Sequence, residues 1–432
     1  MRVLALTDSD SYLKWGAAVL ERAPESWNAQ LVVLANPAAP SAAQTATALA
    51  GTRFAAALPP VVDLAGVADL IADGDTPFDV VLLSVRGPVV RVLVRSIVEA
   101  ATLAGRRRPV LVGGLPGISI PATRKALYYR AQVDLMLLHS VREIREFTWL
   151  AAQMGMEQQF ALGTLPFLPR ERTVTAPGRD IVFAAQAKVP RSKEDRQLVL
   201  SWLAQAARGH PRRRVVIKIR AVVGEQQTHA EKYPYTDLLA EMPNVPPNLV
   251  VASGPMLRHL DQAAALVTVS STAAIEAAAM GLPVLVLDDF GVSDDLINPV
   301  FEGSGLFGSS RALITGDFAR VRESWLADNY LHDECTDDWV ERIDALVTAH
   351  AASPIPLRAQ HRGSLGGNLR RIWDRKRALG SYDTSLSGHL AIAVGTPARW
   401  VVLALRYPRR LANRRRAERV HRPATAPSMS RR

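Results

Sequence analysis

The stretch VSSTAAIEAAAMGLPVLVL, Val269 to Leu287, decides how the rest of this chain is read. An apolar run, Ala265 to Val269, delivers three hydroxyls, Ser270, Ser271 and Thr272, to the start of an Ala-rich helix that carries Glu276. Gly281 and Pro283 close that helix, and Val284 to Leu287 begin another strand. A strand that enters a helix through a short polar turn aims backbone N–H groups and a positive dipole end at whatever lies above the sheet edge. Such a turn is a natural phosphate seat. Ser and Thr are also ordinary helix N-caps. A capping box, however, needs Glu or Gln three residues after the cap, and Glu276 stands four after Thr272 and five after Ser271. The residues alone leave capping and ligand binding both open.

Outward from this stretch the chain alternates apolar strands and helical segments, the pattern of parallel sheets covered on both faces. Strands are predicted at 3–7, 30–34, 79–84, 109–113, 133–138 and 159–162, with helices at 11–22, 88–104 and 140–154. A segment with three Pro and a Gly, within 166–180, reads as a linker. Strands follow at 181–184, 215–219, 249–252, 265–269 and 284–287, with helices at 192–207, 272–280, 317–327 and 337–350. The expected organisation is therefore a Rossmann-like domain over 1–165 and a second over 181–352, facing a central cleft. A helical return segment over 353–385 and a basic tail over 386–432 complete it. The string Gly303 to Gly308 spells G-x-G-x-x-G, but it neither follows directly on a predicted strand nor opens a predicted helix, so it does not point to a dinucleotide cofactor.

Length and a 48% hydrophobic content suit two or three domains with sizeable cores. The single Cys335 excludes an intrachain disulfide and fits a reducing cytosol, and MRVLALTDSD reads as a first strand, not a signal peptide. The net charge of +11 is unevenly placed. Residues 358–432 hold 18 Lys/Arg against 3 Asp/Glu, so the 357 residues before them are mildly acidic. The basic pI therefore says nothing of a nucleic-acid-binding core.

Several residues fall at strand ends, where α/β sheets bind ligands. Asp8 follows the first strand and is a candidate general base; Asp10 or Ser11 can cap the helix that follows. The run Asp8-Ser9-Asp10 also spells a D-x-D. Gly114 and Gly117 lie in a loop, GGLPG, whose glycines permit backbone geometries closed to other residues, although turns alone explain them as well. His139 precedes Ser140 and Glu143, whose spacing is that of a capping box, and is itself a cleft candidate. Gln186 and Lys188 follow the strand IVFAA. Lys218 and Arg220 interrupt or end an apolar strand, a costly place for a cation that meets no anion. His229 lies in the polar loop beyond. The chain shows no C-x-x-C, H-E-x-x-H, G-x-S-x-G or P-loop Lys, so no metal and no cofactor is expected.

The run SSTAAIEAAAMGLP resembles the donor-site segment of GT-B glycosyltransferases, especially capsule-polysaccharide and sialyltransferase-like branches. More narrowly, the chain resembles a family of uncharacterised bacterial proteins assigned as glycosyltransferases. The resemblance implies a metal-independent transferase in which the loop of Gly114 and Gly117 approaches the substrate on the acceptor side. Ser270, Ser271 and Thr272, helped by Gln186, Lys188, Lys218, Arg220 and His229, would hold a nucleotide-sugar donor. Glu276 would hold donor hydroxyls, and Asp8, Asp10 and His139 would be the catalytic candidates. Where sialyltransferase-like relatives carry a His-Pro pair, this chain has Ile219-Arg220 and Thr228-His229. The alternatives are a nucleotide-sugar 2-epimerase-like enzyme, which has a Gly-rich turn where this chain has Ser-Ser-Thr, and a catalytically inactive membrane-docked binding protein.

From Leu386 to Leu405 the chain is mostly apolar but interrupted by His389, Pro397 and Arg399, so no membrane span is expected. Trp400, Leu403, Ala404, Tyr407 and Leu411 recur at helical spacing beside an Arg-rich run. That combination suits an anionic membrane surface, with the chain in the cytoplasm at the inner face of the plasma membrane. The expected partners are a nucleotide-sugar donor, a glycan or lipid-linked acceptor of the cell envelope and that surface, with no nucleic acid.

Overall fold

The computed structural model describes residues 1–73, 76–166, 168, 178–219, 231–360 and 367–397. The chain divides into two compact units, Met1–Arg362 and Gly363–Arg432.

The first unit contains two parallel sheets. The first has seven strands: β1 (Arg2–Thr7), β2 (Asn28–Leu34), β3 (Val61–Val62), β4 (Val80–Ser84), β5 (Val110–Gly114), β6 (Leu135–Leu138) and β7 (Phe160–Leu162), ordered β3-β2-β1-β4-β5-β6-β7. The second has six: β8 (Asp180–Ala184), β9 (Val215–Lys218), β10 (Leu249–Ala252), β11 (Ala263–Thr268), β12 (Val284–Leu287) and β13 (Phe307–Gly308), ordered β10-β9-β8-β11-β12-β13. Strands such as VVLLS and VLVL are buried along their whole length because helices cover both faces. These are two Rossmann-like domains of GT-B type. Both sheets share one winding rule: three strands run outward to one side, then the chain returns past the first strand and continues on the other. Each sheet therefore has one switch point, between β1 and β4 in the first and between β8 and β11 in the second. There the neighbouring connections diverge and leave a crevice beyond the strand ends.

Close packing fixes the crevice walls. A methyl on Gly16 would lie 2.8 Å from Ser84 Oγ, and one on Gly114 would lie 2.4 Å from the Trp15 ring. Glycine at both places lets the helix Asp10–Glu21 settle directly on β4 and β5. After the second sheet the chain comes back: Trp339 and Ile343 of the helix Trp339–Ala352 join the first domain's core, with Trp339 edge-on to Trp27 at 5.7 Å. Sequence order alone groups this helix with the second domain; its packing places it with the first. The outgoing and returning passages are bonded to each other. Asp338 accepts from the Leu162 N–H at 2.7 Å and donates its own N–H to the Leu162 carbonyl, while Asp337 accepts from the Thr164 N–H at 2.7 Å.

Most predicted elements appear within two residues of their expected ends. The helix expected at 317–327 does not form as one piece. Gly316, at φ 77°, ends the helix Ser310–Thr315, and the Ala319 carbonyl is drawn to the Val284 N–H, so helix resumes only at Glu323–Asp328. Gly281, at φ 72°, closes the helix Ala273–Ala279, with the Leu282 N–H returning to the Ala277 carbonyl as in a Schellman end.

In the second unit a helix, Gly367–Leu379, leads through a turn to residues 386–397, which are also helical, their first turn capped by Ser385 Oγ accepting from the Gly388 N–H at 3.1 Å. The Trp400 to Leu411 strip lies outside the described residues. Among the described residues no helix is long and apolar enough to cross a membrane.

Candidate functional site

Both switch-point crevices are spanned by a side-chain pair. In the second domain Gln186, two residues past β8, holds Ser270, two residues past β11. The Gln186 amide donates to Ser270 Oγ at 3.0 Å, and its carbonyl oxygen accepts from the Ser270 N–H at 3.0 Å. Thr268 Oγ1, bonded to the Ala184 carbonyl, accepts from the Ser271 N–H at 3.1 Å. Ser271 Oγ in turn accepts from the Ala273 N–H at 3.2 Å. The three hydroxyls therefore divide the work: Ser270 is clamped and Ser271 caps. Thr272, at the N-cap position of the helix Ala273–Ala279 and half-buried, makes no side-chain cap bond.

The turn that presents Gln186 is built around Arg196, a residue that sequence pattern does not single out. Its guanidinium is buried and donates to the carbonyls of Gln186 (2.7 Å), Ala187 (2.8 Å), Pro190 (2.9 Å) and Tyr233 (3.1 Å), and to Glu231. Five donors meet five acceptors, which fixes a turn that no regular structure would hold. Lys188, in that turn, is exposed; Lys218, at the end of β9, is buried and donates to the Ile219 carbonyl at 2.7 Å. Glu276 is buried on its helix. Arg220 and His229 lie outside the described residues.

In the first domain the corresponding pair is Asp8, just past β1, and Arg86, two residues past β4. Arg86 Nε donates to Asp8 Oδ2 at 2.8 Å and its N–H to Oδ1 at 3.1 Å, while Nη2 reaches Asn36 Oδ1 at 2.6 Å. Asp8 is wholly enclosed, and burial holds its pKa above the ordinary carboxylate value, opposed by Arg86. Arg86 keeps part of its guanidinium in solvent. Asp10 is the first residue of the helix Asp10–Glu21 and half-buried.

His139 is not in the crevice. Its Nε2 accepts from Trp15 Nε1 at 2.7 Å, so Nδ1 carries the proton and donates to the Gly163 carbonyl at 2.7 Å. Burial lowers its pKa to about 4, and the ring stays neutral. A His after a strand looks available in the sequence because its partners, Trp15 and Gly163, are remote from it there. Ser140 caps the helix Val141–Gln153 as expected, but Glu143 does not complete the box. Its carboxylate accepts from the N–H groups of His139 and Ser119, each at 2.8 Å, and from the Tyr330 hydroxyl.

The Ser119 bond anchors the end of the Gly114–Gly117 loop, and the loop reaches the second domain. Ile120 sits in that domain's core, and a methyl on Gly117, at φ 101°, would lie 3.3 Å from Thr272 Cγ2. The structure thus brings together Gly117 and Thr272, Gln186 and Ser270, and Asp8 with a missed partner, Arg86. Arg86 had a legible signal, standing at the end of a strand as Asp8 does. Arg196 looks like one charge in the solvated run KEDR.

Residues 3–346 match the family described as "Putative glycosyltransferase (DUF6716)", and the chain belongs to it. No curated protein matches the chain. Among solved structures it is similar to a putative UDP-N-acetylglucosamine 2-epimerase from Listeria monocytogenes, at 11% identity and TM-score 0.50, covering 83% of this chain and 98% of that one. A UDP-GlcNAc 2-epimerase from Methanocaldococcus jannaschii has 10% identity and TM-score 0.50 over 81% of this chain and 100% of its own. A lipopolysaccharide outer core galactosyltransferase has 10% identity and TM-score 0.40 over 81% and 100%. At these identities the likeness is one of fold.

Proposed function

We propose that the chain transfers a sugar from a nucleotide-activated donor, held on the second domain, to a glycan or lipid-linked acceptor of the cell envelope, held on the first. The observation that carries this reading is the contact between Gly117 and Thr272. It sets an acceptor-side loop against a turn whose third hydroxyl is not used in capping. Thr272 and the neighbouring N–H groups receive the donor phosphates, with Ser270 and Ser271 shaping the turn and Lys188, Lys218, Arg220 and His229 supplying charge and polar contacts. Glu276 holds donor hydroxyls. Asp8 is the base, with a basicity raised by burial, and the acceptor must loosen the Arg86 contact to reach it. Asp10 is the second candidate. His139 takes no proton in this scheme, because both ring nitrogens are engaged. No step is assigned to a metal ion or cofactor. Such an acceptor would be met at the inner face of the plasma membrane.

Thermal-shift measurements across UDP-, GDP-, CMP- and dTDP-linked sugars test the donor site, since a ligand raises the transition in proportion to its affinity and concentration. Failure of every donor to move the transition sinks the reading. Incubation of a binding donor with and without acceptor separates the second reading, a nucleotide-sugar 2-epimerase, which converts the sugar with no acceptor. That alternative rests on the shared fold of the two epimerases. Binding without turnover of either kind would instead mark an inactive binding protein.

A further inference from the structure

Among its described residues the second unit displays an exposed apolar stripe. In the helical residues 386–397, the small residues Gly388, Ala391 and Gly395 share one face. Ala391 is 1% exposed, and a methyl on Gly395 would lie 2.6 Å from Trp373 Cδ1. Trp373 Nε1 also donates to Thr396 Oγ1 at 3.3 Å. This face therefore lies against Trp373 of the helix Gly367–Leu379 at Gly395 and, at Gly388, against Asp383 and Ser385 of the turn. Leu386, Leu390 and Val394 recur every fourth residue elsewhere on the same helix and are 83%, 67% and 57% exposed. Among the described residues no packing within the unit requires three large apolar side chains there.

The charge carried by this stretch of sequence selects the occupant of the stripe. The packed helix Gly367–Leu379 carries Arg370, Arg371, Arg375, Lys376 and Arg377 against Asp374, and residues 398–432, which follow the stripe, contain 11 Arg and one Glu. A second copy of this unit would bring like charge against like charge. A nucleic acid would match the charge but not the leucines. An anionic bilayer matches both, through acyl chains for the stripe and headgroups for the cations. A helix this short needs the two signals together. We propose that residues 386–397 lie in the interface of an anionic lipid membrane, with Leu386, Leu390 and Val394 entering the headgroup–acyl boundary. This gives the unit an attachment role that stands independently of sugar transfer.

The test is co-sedimentation of the full chain with phosphatidylcholine vesicles, with and without phosphatidylglycerol. The protein is expected to pellet with the anionic vesicles, and an L386N/L390N/V394N variant to lose about tenfold or more of that affinity with an unchanged thermal transition. L386M/L390M should retain binding. If the triple variant fails to fold, L390W in otherwise intact protein reports instead, and its emission should shift to the blue on anionic vesicles alone. Wild-type protein left in the supernatant overturns the proposal. So does equal binding by the triple variant, an L390W emission indifferent to lipid, or a lipid-free dimer that the stripe substitutions convert to monomer.

Discussion

Replacing Glu143 by Gln should change how stability depends on pH. The carboxylate is fully buried, and burial pushes its pKa up to about 7, against the bonds from Tyr330, His139 and Ser119. In the unfolded chain a Glu titrates near 4.3. Between those values the folded protein holds a proton that the unfolded chain has released, so this group's contribution is most favourable at low pH and is lost as pH rises toward 7. The total is about 4 kcal/mol, because each tenfold change in an acid dissociation constant is worth about 1.4 kcal/mol. His139 works in the opposite sense. Its folded pKa of about 4 lies below the free value, so the unfolded state binds the extra proton and stability rises from about pH 4 to 6.5. The two slopes oppose each other over the window they share. Gln cannot titrate, and its amide nitrogen cannot accept from the His139 N–H, which adds a pH-independent cost of about 1–3 kcal/mol. Urea unfolding followed by tryptophan fluorescence at intervals from about pH 5 to 8 should therefore show the wild-type advantage over E143Q shrinking by about 2–3 kcal/mol as pH rises. Parallel curves across that range would refute the reasoning.

Three further outcomes follow from the packing and bonding described above. Arg196→Lys supplies three donors where five are used, so buried carbonyls of the Gln186–Pro190 turn go unmet; unfolding free energy should fall by about 3 kcal/mol and donor affinity with it. Gly114→Ala drives a methyl into the Trp15 ring and should cost about 1–3 kcal/mol; Trp15→Phe also costs, because His139 loses its donor, and a double-mutant cycle of denaturation midpoints should show the two losses to be less than additive. Calorimetry should separate the hydroxyls: Thr272→Val weakens nucleotide-sugar binding about tenfold at constant stability, whereas Ser270→Ala lowers stability by about 1 kcal/mol because the Gln186 amide loses its partner.

The sheets were legible because their strands are continuous apolar runs and the helices between them carry clear ends. The two strands that escape such a reading, β3 and β13, are two residues each, too short to show any period. The short helices Ala42–Leu49 and Arg124–Arg130 escape it as well, at about two turns each, although Ser41 with Gln44 caps the start of the first and Thr123 that of the second. At the site, the local grammar of strand end, polar turn and helix start located Asp8, Gln186 and Ser270–Thr272. Their partners were out of reach of that grammar. Ser270 is 84 positions from Gln186, Asp8 is 78 from Arg86, and His139 is 124 from the Trp15 that encloses it. Whether a hydroxyl caps, clamps or is left for a ligand depends on those distant groups, so the choice between capping and binding at Ser270–Thr272 is a tertiary property.

The bonded passages at Leu162–Thr164 and Asp337–Asp338 have a mechanical meaning. The chain goes out to the second domain and comes home along one seam, stitched by two aspartates. The two covers joined by this spine are pinned away from it as well, where Ile120 enters the second domain's core and Tyr330 donates to Glu143, so a swing about the seam would have to pull those contacts apart. Asp338→Asn keeps the shape of the side chain but removes its charge and its pairing with Arg342, and would thus weaken the seam from a place that neither crevice reaches.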